Sequence, residues 1–435
     1  MQNLDAYWMP FTPNRAFKKS PRVIRSAKGH YYTATTGRQL LDGFSGLWTS
    51  GVGHCHPTIV AAVQEQVATL DYAMAFQVGH EKIFELAEEV IRLAPEGFTR
   101  VFFTNSGSES ADTSLKIALA YQRAIGQPTR HRMIGRERGY HGVNIGGMSV
   151  GGMTNNRKVF SPLMMPGVDH IRHTHSPADM AFSKGQPTWG AHLADDLERL
   201  VTLHDAGNIA ALIVEPAAGS AGVLIPPVGY LNKLRETCDK HGILLIFDEV
   251  ITAFGRVGEA FGAQRFGVSP DIINVAKGLT NGVIPMGAVL VKEHVYQALM
   301  NGPENMVELF HGYTYSGHPV AAAAGLATMQ VYREEGTFAQ ARAIEGTFET
   351  LLHSLTGEPN VIDIRNIGLM GGLDIASRAG AVGARGAEVF ARCWDEGVVI
   401  RNVGDILAFS PFLNSSADEL ERIFETVRRA LRSIA

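Results

Sequence analysis

From about residue 100 the chain repeats one pattern. A short unbroken run of Val, Ile, Leu or Phe is followed by a polar or glycine break, then by a longer segment with apolar residues at helical spacing. Residues 100–104 (RVFFT) precede a helix predicted over 108–125, residues 209–215 precede one over 228–240, and further runs occupy 243–248, 271–276 and 286–291. Strands buried on both faces read as continuous apolar runs, and strands alternating with helices pair in parallel. The pattern therefore predicts an α/β large domain with a mostly parallel sheet covered by helices.

The two ends read differently. Residues 1–50 hold short alternating pieces and turns, and from about 330 the pattern gives helix, strand (361–364), strand (371–375), helix, strand (398–401) and a last helix. In that last helix Leu420, Ile423, Phe424, Val427, Leu431 and Ile434 fall on one face. Both ends are assigned to one smaller α+β domain, residues 1–60 and 326–435, packed across a cleft from the large domain, residues 61–325. No repeat, low-complexity tract or linker cuts the chain.

Composition narrows the function. The 435 residues, 45% hydrophobic and 19% charged, can bury a large core without disulfide staples. With 39 Lys+Arg against 43 Asp+Glu, the net charge of −4 lacks the basic footprint of a nucleic-acid or anionic-lipid binder. Cys55, Cys238 and Cys393 are far apart and fit a reducing compartment. The first twenty residues lack a secretion signal, and the longest apolar runs fall far short of the ~20 residues needed to cross a bilayer. The expectation is a cytoplasmic protein without nucleic-acid or membrane partners. Glycine supplies 47 of the 435 residues, about 11% against a usual ~7%. Gly107, Gly142, Gly255, Gly278, Gly312 and Gly317 each lie beside a candidate ligand contact, so the excess predicts backbone crowding around a ligand.

Ligands of parallel sheets sit beyond the carboxyl ends of the strands, so polar residues that close apolar runs are the candidates. Thr104-Asn-Ser-Gly-Ser-Glu109 follows one run and opens a helix; it suits either a phosphate or an ordinary N-cap. Asp248 closes 243–247 and needs a buried partner: an Arg, a metal or a cationic ring nitrogen. Lys277 closes 271–276; a desolvated amine there is a nucleophile that can form a Schiff base, the alternative being a lysine that snorkels from a sheet edge. Tyr140 follows 133–138 and either stacks on a flat ligand or fills core. Taken together, an anion cradle, a ring platform, a carboxylate and an amine match the needs of pyridoxal 5′-phosphate (PLP). His54-Cys55-His56 and His170, His173 and His175 have neither H-E-x-x-H spacing nor paired cysteines, so no metal is expected.

Over nearly its whole length the sequence resembles the class III (fold type I) PLP-dependent aminotransferases, most closely the ω-amino acid:pyruvate (β-alanine:pyruvate) branch. The resemblance rests on Asn105-Ser-Gly-Ser-Glu109, Tyr140-His-Gly142, Glu215-Pro216, Phe247-Asp-Glu-Val-Ile-Thr-Ala-Phe-Gly-Arg256, Ala276-Lys-Gly278 and His311-Gly-Tyr-Thr-Tyr-Ser-Gly-His318. It implies a ping-pong transamination from an ω-amino acid or primary amine to a keto acid, pyruvate, with pyridoxamine phosphate between the half-reactions. By the same resemblance Lys277 holds PLP, Asp248 pairs with its ring nitrogen, Tyr140 and His141 lie at the ring, and Gly107 and Ser108 bind the phosphate. Thr314 reaches the cofactor phosphate of a partner subunit, which implies a homodimer or dimer of dimers with shared sites. Trp48, Arg401 and Phe11 match substrate-side positions, Arg401 meeting a carboxylate. Glu215 is either a counter-ion for Arg401 or a partner near the ring. Ala408 departs from the branch, which often has a glutamine there, and this puts the preferred donor in question. The same cofactor residues also serve an alternative: taurine transfer, an aminomutase or a decarboxylating transaminase.

Overall fold

The structure, a computed structural model, describes residues 4–434. At its centre seven strands form one sheet in the order Phe98–Thr104, Gly287–Lys292, Ile272–Val275, Leu244–Asp248, Ile209–Val214, Arg132–Arg136, Val168–Ile171. Every pair from Ile272–Val275 to Val168–Ile171 is parallel, whereas Gly287–Lys292 runs antiparallel to both its neighbours. Only a 3₁₀ turn, Lys277–Thr280, lies in the connection 276–286. That connection is too short to carry a crossover helix, so the chain returns antiparallel. The inner strands Ile209–Val214 and Leu244–Asp248 are buried at every residue, as their unbroken apolar runs require.

The helix Gly107–Ala124 starts where the sequence supplies reciprocal caps. Ser106 Oγ accepts the Glu109 N–H at 3.2 Å, and Glu109 Oε2 accepts the Asn105 N–H at 2.7 Å. Ala111, Leu115, Ile117 and Ala118 bury one face of it, and the start of the helix is thereby held at the end of Phe98–Thr104.

Two four-stranded sheets flank this layer. One joins Ile24–Lys28, Tyr31–Ala34 and Gln39–Asp42 to Val398–Val399; the other contains Val361–Ile367, Met370–Ile375, Ile406–Phe409 and Arg401–Val403. The single strand expected over 398–401 is thus two. Val398–Val399 pairs in parallel with the N-terminal strand, and after Ile400 the chain enters the other sheet. The final helix, Ala417–Ser433, carries a Ser416/Glu419 capping box and buries Leu420, Ile423, Phe424, Val427 and Leu431. Among the described residues no helix is long and apolar enough to cross a membrane. All three cysteines are unpaired, Cys238 and Cys393 in the interior.

Candidate active site

Five chain segments deliver polar groups to one cleft at the carboxyl ends of the parallel strands. Asp248 ends its strand; Glu215 and Lys277 come just after theirs; Tyr140 and His141 lie in the turn after Arg132–Arg136; Gly107 and Ser108 begin the helix after Phe98–Thr104. With Gly142, Val250, Ile251 and Ala276 they line one concave cleft, half open to solvent, the kind of place where small-molecule sites are built.

The charged groups are mutually arranged. Asp248 Oδ2 lies 2.7 Å from His141 Nδ1, and its Oδ1 accepts the Val250 N–H at 3.2 Å. His141 is buried, and its Nε2 has no hydrogen-bond partner among the described residues. The arrangement fits a tautomer that donates from Nδ1 to the carboxylate. Lys277 has positive φ, 44°. Burial pushes its amine down to about 8, against the opposing pull of the Asp248 and Glu215 carboxylates. Glu215 Oε1 accepts the Tyr140 N–H at 3.0 Å, while Arg136 donates to the Glu215 carbonyl at 2.8 Å. Burial raises the Glu215 carboxyl above its usual range, and burial followed by the Asp248 charge does the same for the Tyr140 hydroxyl. Glu215 forms no ion pair with Arg401 here; of the two alternatives for this residue, the geometry favours the one beside the ring platform.

The same lining includes an anion cradle. Ser108 Oγ accepts the Val143 N–H at 3.1 Å, and Gly142 has φ 91°. A β-carbon on Gly142 would fall 2.3 Å from Ser108 Oγ, so only glycine lets this turn lie against the helix start. The leading N–H groups of an 18-residue helix face the same space. The residues present fit PLP: a cradle for its phosphate, a hydrogen-bonded carboxylate for a cationic ring nitrogen, and a partly neutral amine for its aldehyde.

The remaining sequence candidates lie outside this lining. Trp48 is buried in an apolar cluster with Phe44, Ile251 and Ala408. Arg401 is exposed and makes no ion pair or side-chain hydrogen bond among the described residues, yet its charge acts on both Tyr140 and Lys277. Phe11 is 77% exposed. Thr314 is exposed and stands apart from the cleft of its own chain. The glycine expectation needs correction. Of the six glycines only Gly107 and Gly142 line the cleft; Gly255 packs on Phe338 and Leu413, Gly278 on Phe254 and Tyr332, Gly312 on Phe76 and Gly317 on Ile83. Those four make room for apolar side chains. Val250 and Ile251 went unassigned although they stand in the same motif as Asp248; only their apolar character after a strand-end acid marks them. The histidine groups disperse: His54 turns to Asp42 and His56 to Glu335. His175, Asp363 and Asp374 converge, but Arg365 bonds both carboxylates.

Residues 13–431 match the family model for class-III aminotransferases. The chain is 56% identical over 432 residues to an omega-aminotransferase of Caulobacter vibrioides, covering 99% of this chain and 98% of that one. It is 52% identical over 436 residues to a beta-alanine–pyruvate aminotransferase of Pseudomonas aeruginosa, covering 100% and 97%. A crystal structure of an omega transaminase from Pseudomonas jessenii in complex with PMP superposes with a TM-score of 0.93 at 32% identity, covering 98% of this chain and 96% of that one.

Proposed function

The chain belongs to the class-III aminotransferases and is a transferase of fold type I, and from that premise we propose that it moves an amino group from an ω-amino acid or primary amine, β-alanine among them, to pyruvate. The products are alanine and an aldehyde or ketone, formed in two half-reactions at one site. The observation that carries this reading is the convergence of Lys277, Asp248, Tyr140, Glu215, Gly107 and Ser108 on one cleft, in a chain similar to relatives named for this reaction.

PLP bound in that cleft supplies an aldehyde that condenses with amines and a ring that takes up electrons. The chain does the rest. The Lys277 amine would tether the cofactor, and as a free amine its basicity near neutrality suits it to taking a proton from the reacting carbon and returning it. Asp248, oriented by His141, would pair with the ring nitrogen and favour its protonated form. Tyr140 would cover the ring, with Glu215, which fixes the Tyr140 backbone, beside it, and Gly107 and Ser108 would hold the phosphate. Arg401, without an ion-pair partner among the described residues, grips the carboxylate of pyruvate and moves aside or reaches further for ω-donors. Trp48 bounds the substrate side and Phe11 stands at the entrance.

The site is completed by a second copy of the chain, Thr314 of one copy reaching the phosphate held by the other. The exposure of Thr314, next to Phe310 (96% exposed) and Tyr315 on an apolar surface, supports this. We divide the chain at about 60 and 325, a division supported by the sheet that joins residues 24–42 to 398–399, and we assign the protein, with its unpaired cysteines, to the cytoplasm. Purified enzyme supplied with PLP, β-alanine and pyruvate should form alanine, and Lys277→Ala should lose both turnover and the visible absorbance of lysine-bound cofactor. Wild-type turnover by that variant refutes the mechanism.

A further inference from the structure

The turn that carries Trp48 is built against backbone preference. Ser45, Gly46 and Trp48 have φ of 42°, 71° and 63°, and two of the three bear a β-carbon that resists this region. Such a conformation persists only where the surroundings over-determine it. Two buried charged side chains do so here.

Asp42, 1% exposed, ends the strand Gln39–Asp42. Its Oδ1 accepts the Phe44 N–H at 2.9 Å, its Oδ2 accepts the Gly46 N–H at 2.6 Å, and the same Oδ2 meets His54 Nε2 at 2.9 Å. Arg256, 3% exposed, lies in the segment that follows Asp248. It donates to Ser45 Oγ at 3.0 Å, to the Pro411 carbonyl at 2.6 Å and to the Leu369 carbonyl at 3.4 Å. All these partners are neutral oxygens. A buried guanidinium without a bonded carboxylate is a costly way to stabilise a fold, so what it joins is informative: the segment after Asp248, the strained turn and two C-terminal loops. Beyond the turn, Asn281, in the connection that carries Lys277, accepts the Val52 N–H at 3.1 Å and donates to the Gly53 carbonyl at 2.9 Å.

Among the described residues Trp48 has no side-chain hydrogen bond that would fix its ring. The ring stands edge-on to Phe44 with centroids 4.7 Å apart, in the cluster that includes Ala408 and the cleft-lining Ile251. Its place relative to the cleft is therefore set by the backbone of residues 44–48. We propose that Asp42 and Arg256 are positioning residues that hold this turn so that the Trp48 ring bounds the substrate side, and that they thereby set how bulky an amine donor the enzyme accepts. The second half of the proposal rests on the reading of Trp48 given above.

The test uses holoenzyme labelled with 5-fluorotryptophan, whose ¹⁹F spectrum should show four resonances, from Trp8, Trp48, Trp189 and Trp394, with Trp48→Phe assigning the one of interest. In Asp42→Asn and in Ser45→Ala, which removes the Arg256 bond to the turn together with the 3.4 Å contact to Ser410 Oγ, the Trp48 resonance should shift or broaden while the other three stay. The ratio of kcat/KM for 1-phenylethylamine to that for β-alanine, with pyruvate as acceptor, should change at least fivefold with lysine-bound cofactor absorbance retained. In a Trp48→Ala background Asp42→Asn should change that ratio no further. An unmoved Trp48 resonance, or a ratio shift that persists undiminished without Trp48, overturns the positioning role. If Trp48→Ala itself leaves the ratio unchanged while the resonance moves in both variants, the substrate-side reading of Trp48 fails and the specificity half of the proposal falls with it. Should Asp42→Asn not fold, Ser45→Ala carries the same comparisons.

Discussion

Burial of the Lys277 amine should make cofactor capture by the apoenzyme efficient near neutral pH. The structure lowers this amine from 10.5 to about 8, with burial as the main cause. At pH 7 about one amine in eleven is then neutral, against about one in 3,000 for an unperturbed lysine, a gain of about 300-fold in the nucleophilic form. Apoenzyme mixed with PLP at pH values from 6 to 10 should acquire visible absorbance at a rate that rises about tenfold per pH unit and levels off near pH 8. An Nα-acetyl-lysine amide measured in parallel removes the titration of PLP itself from the comparison, and its rate should keep rising to about pH 10. The sign follows from linkage. A depressed folded-state value means that the unfolded chain binds more protons between about 8 and 10.5, so the contribution of Lys277 to apoenzyme stability is present above 10.5 and is lost as pH falls through about 8. Asp248 pulls the value upward, so Asp248→Asn should move the plateau to lower pH. An enzyme rate that climbs through pH 10 in parallel with the free amine refutes the burial argument.

Arg401→Ala should raise KM for pyruvate by about 100-fold, the loss of a charged bidentate contact of about 2–3 kcal/mol, and leave KM for an uncharged amine donor within about threefold; equal effects on both would remove the carboxylate assignment. Ala408 lies directly across from Arg401 on the neighbouring strand and within the Trp48 cluster. Ala408→Gln should therefore shift the kcat/KM ratio toward β-alanine and away from arylalkyl amines by about tenfold; an unchanged donor panel would show that this position does not read the donor. Arg365 is buried and bonds Asp363, Asp374 at 2.7 Å and the Val223 carbonyl at 2.8 Å. Arg365→Met strands two carboxylates and should cost about 3–5 kcal/mol in urea unfolding, with a loss under 1 kcal/mol arguing that the carboxylates find water or each other's proton.

Local pattern was enough to reveal the strands of the large layer and the residues that close them, because a strand buried on both faces must be apolar throughout and a polar residue at its end has few places to go. Asp248 and Lys277 stand out in the sequence for that reason. The excess of glycine did not resolve in the same way: Gly142 and Gly255 look alike in sequence, and only the neighbours brought by distant segments distinguish a turn pressed on Ser108 from one pressed on Phe338.

What tertiary structure decided is pairing between residues far apart in the chain. The His141 bond to Asp248 spans 107 positions, and the guanidinium of Arg256 reaches Ser45 across 211. Splitting the 398–401 run places Val398 beside Leu41 and Arg401 opposite Ala408 in different sheets. Apolar periodicity determines which face of an element is buried, since that follows from neighbours three or four residues away. It carries no information on which buried faces meet, because that depends on long-range contacts whose free energy is gained only when the whole chain has closed. The sequence by itself thus determined the layers and the chemical inventory of the site; the tertiary structure decided the partners that orient each of its groups.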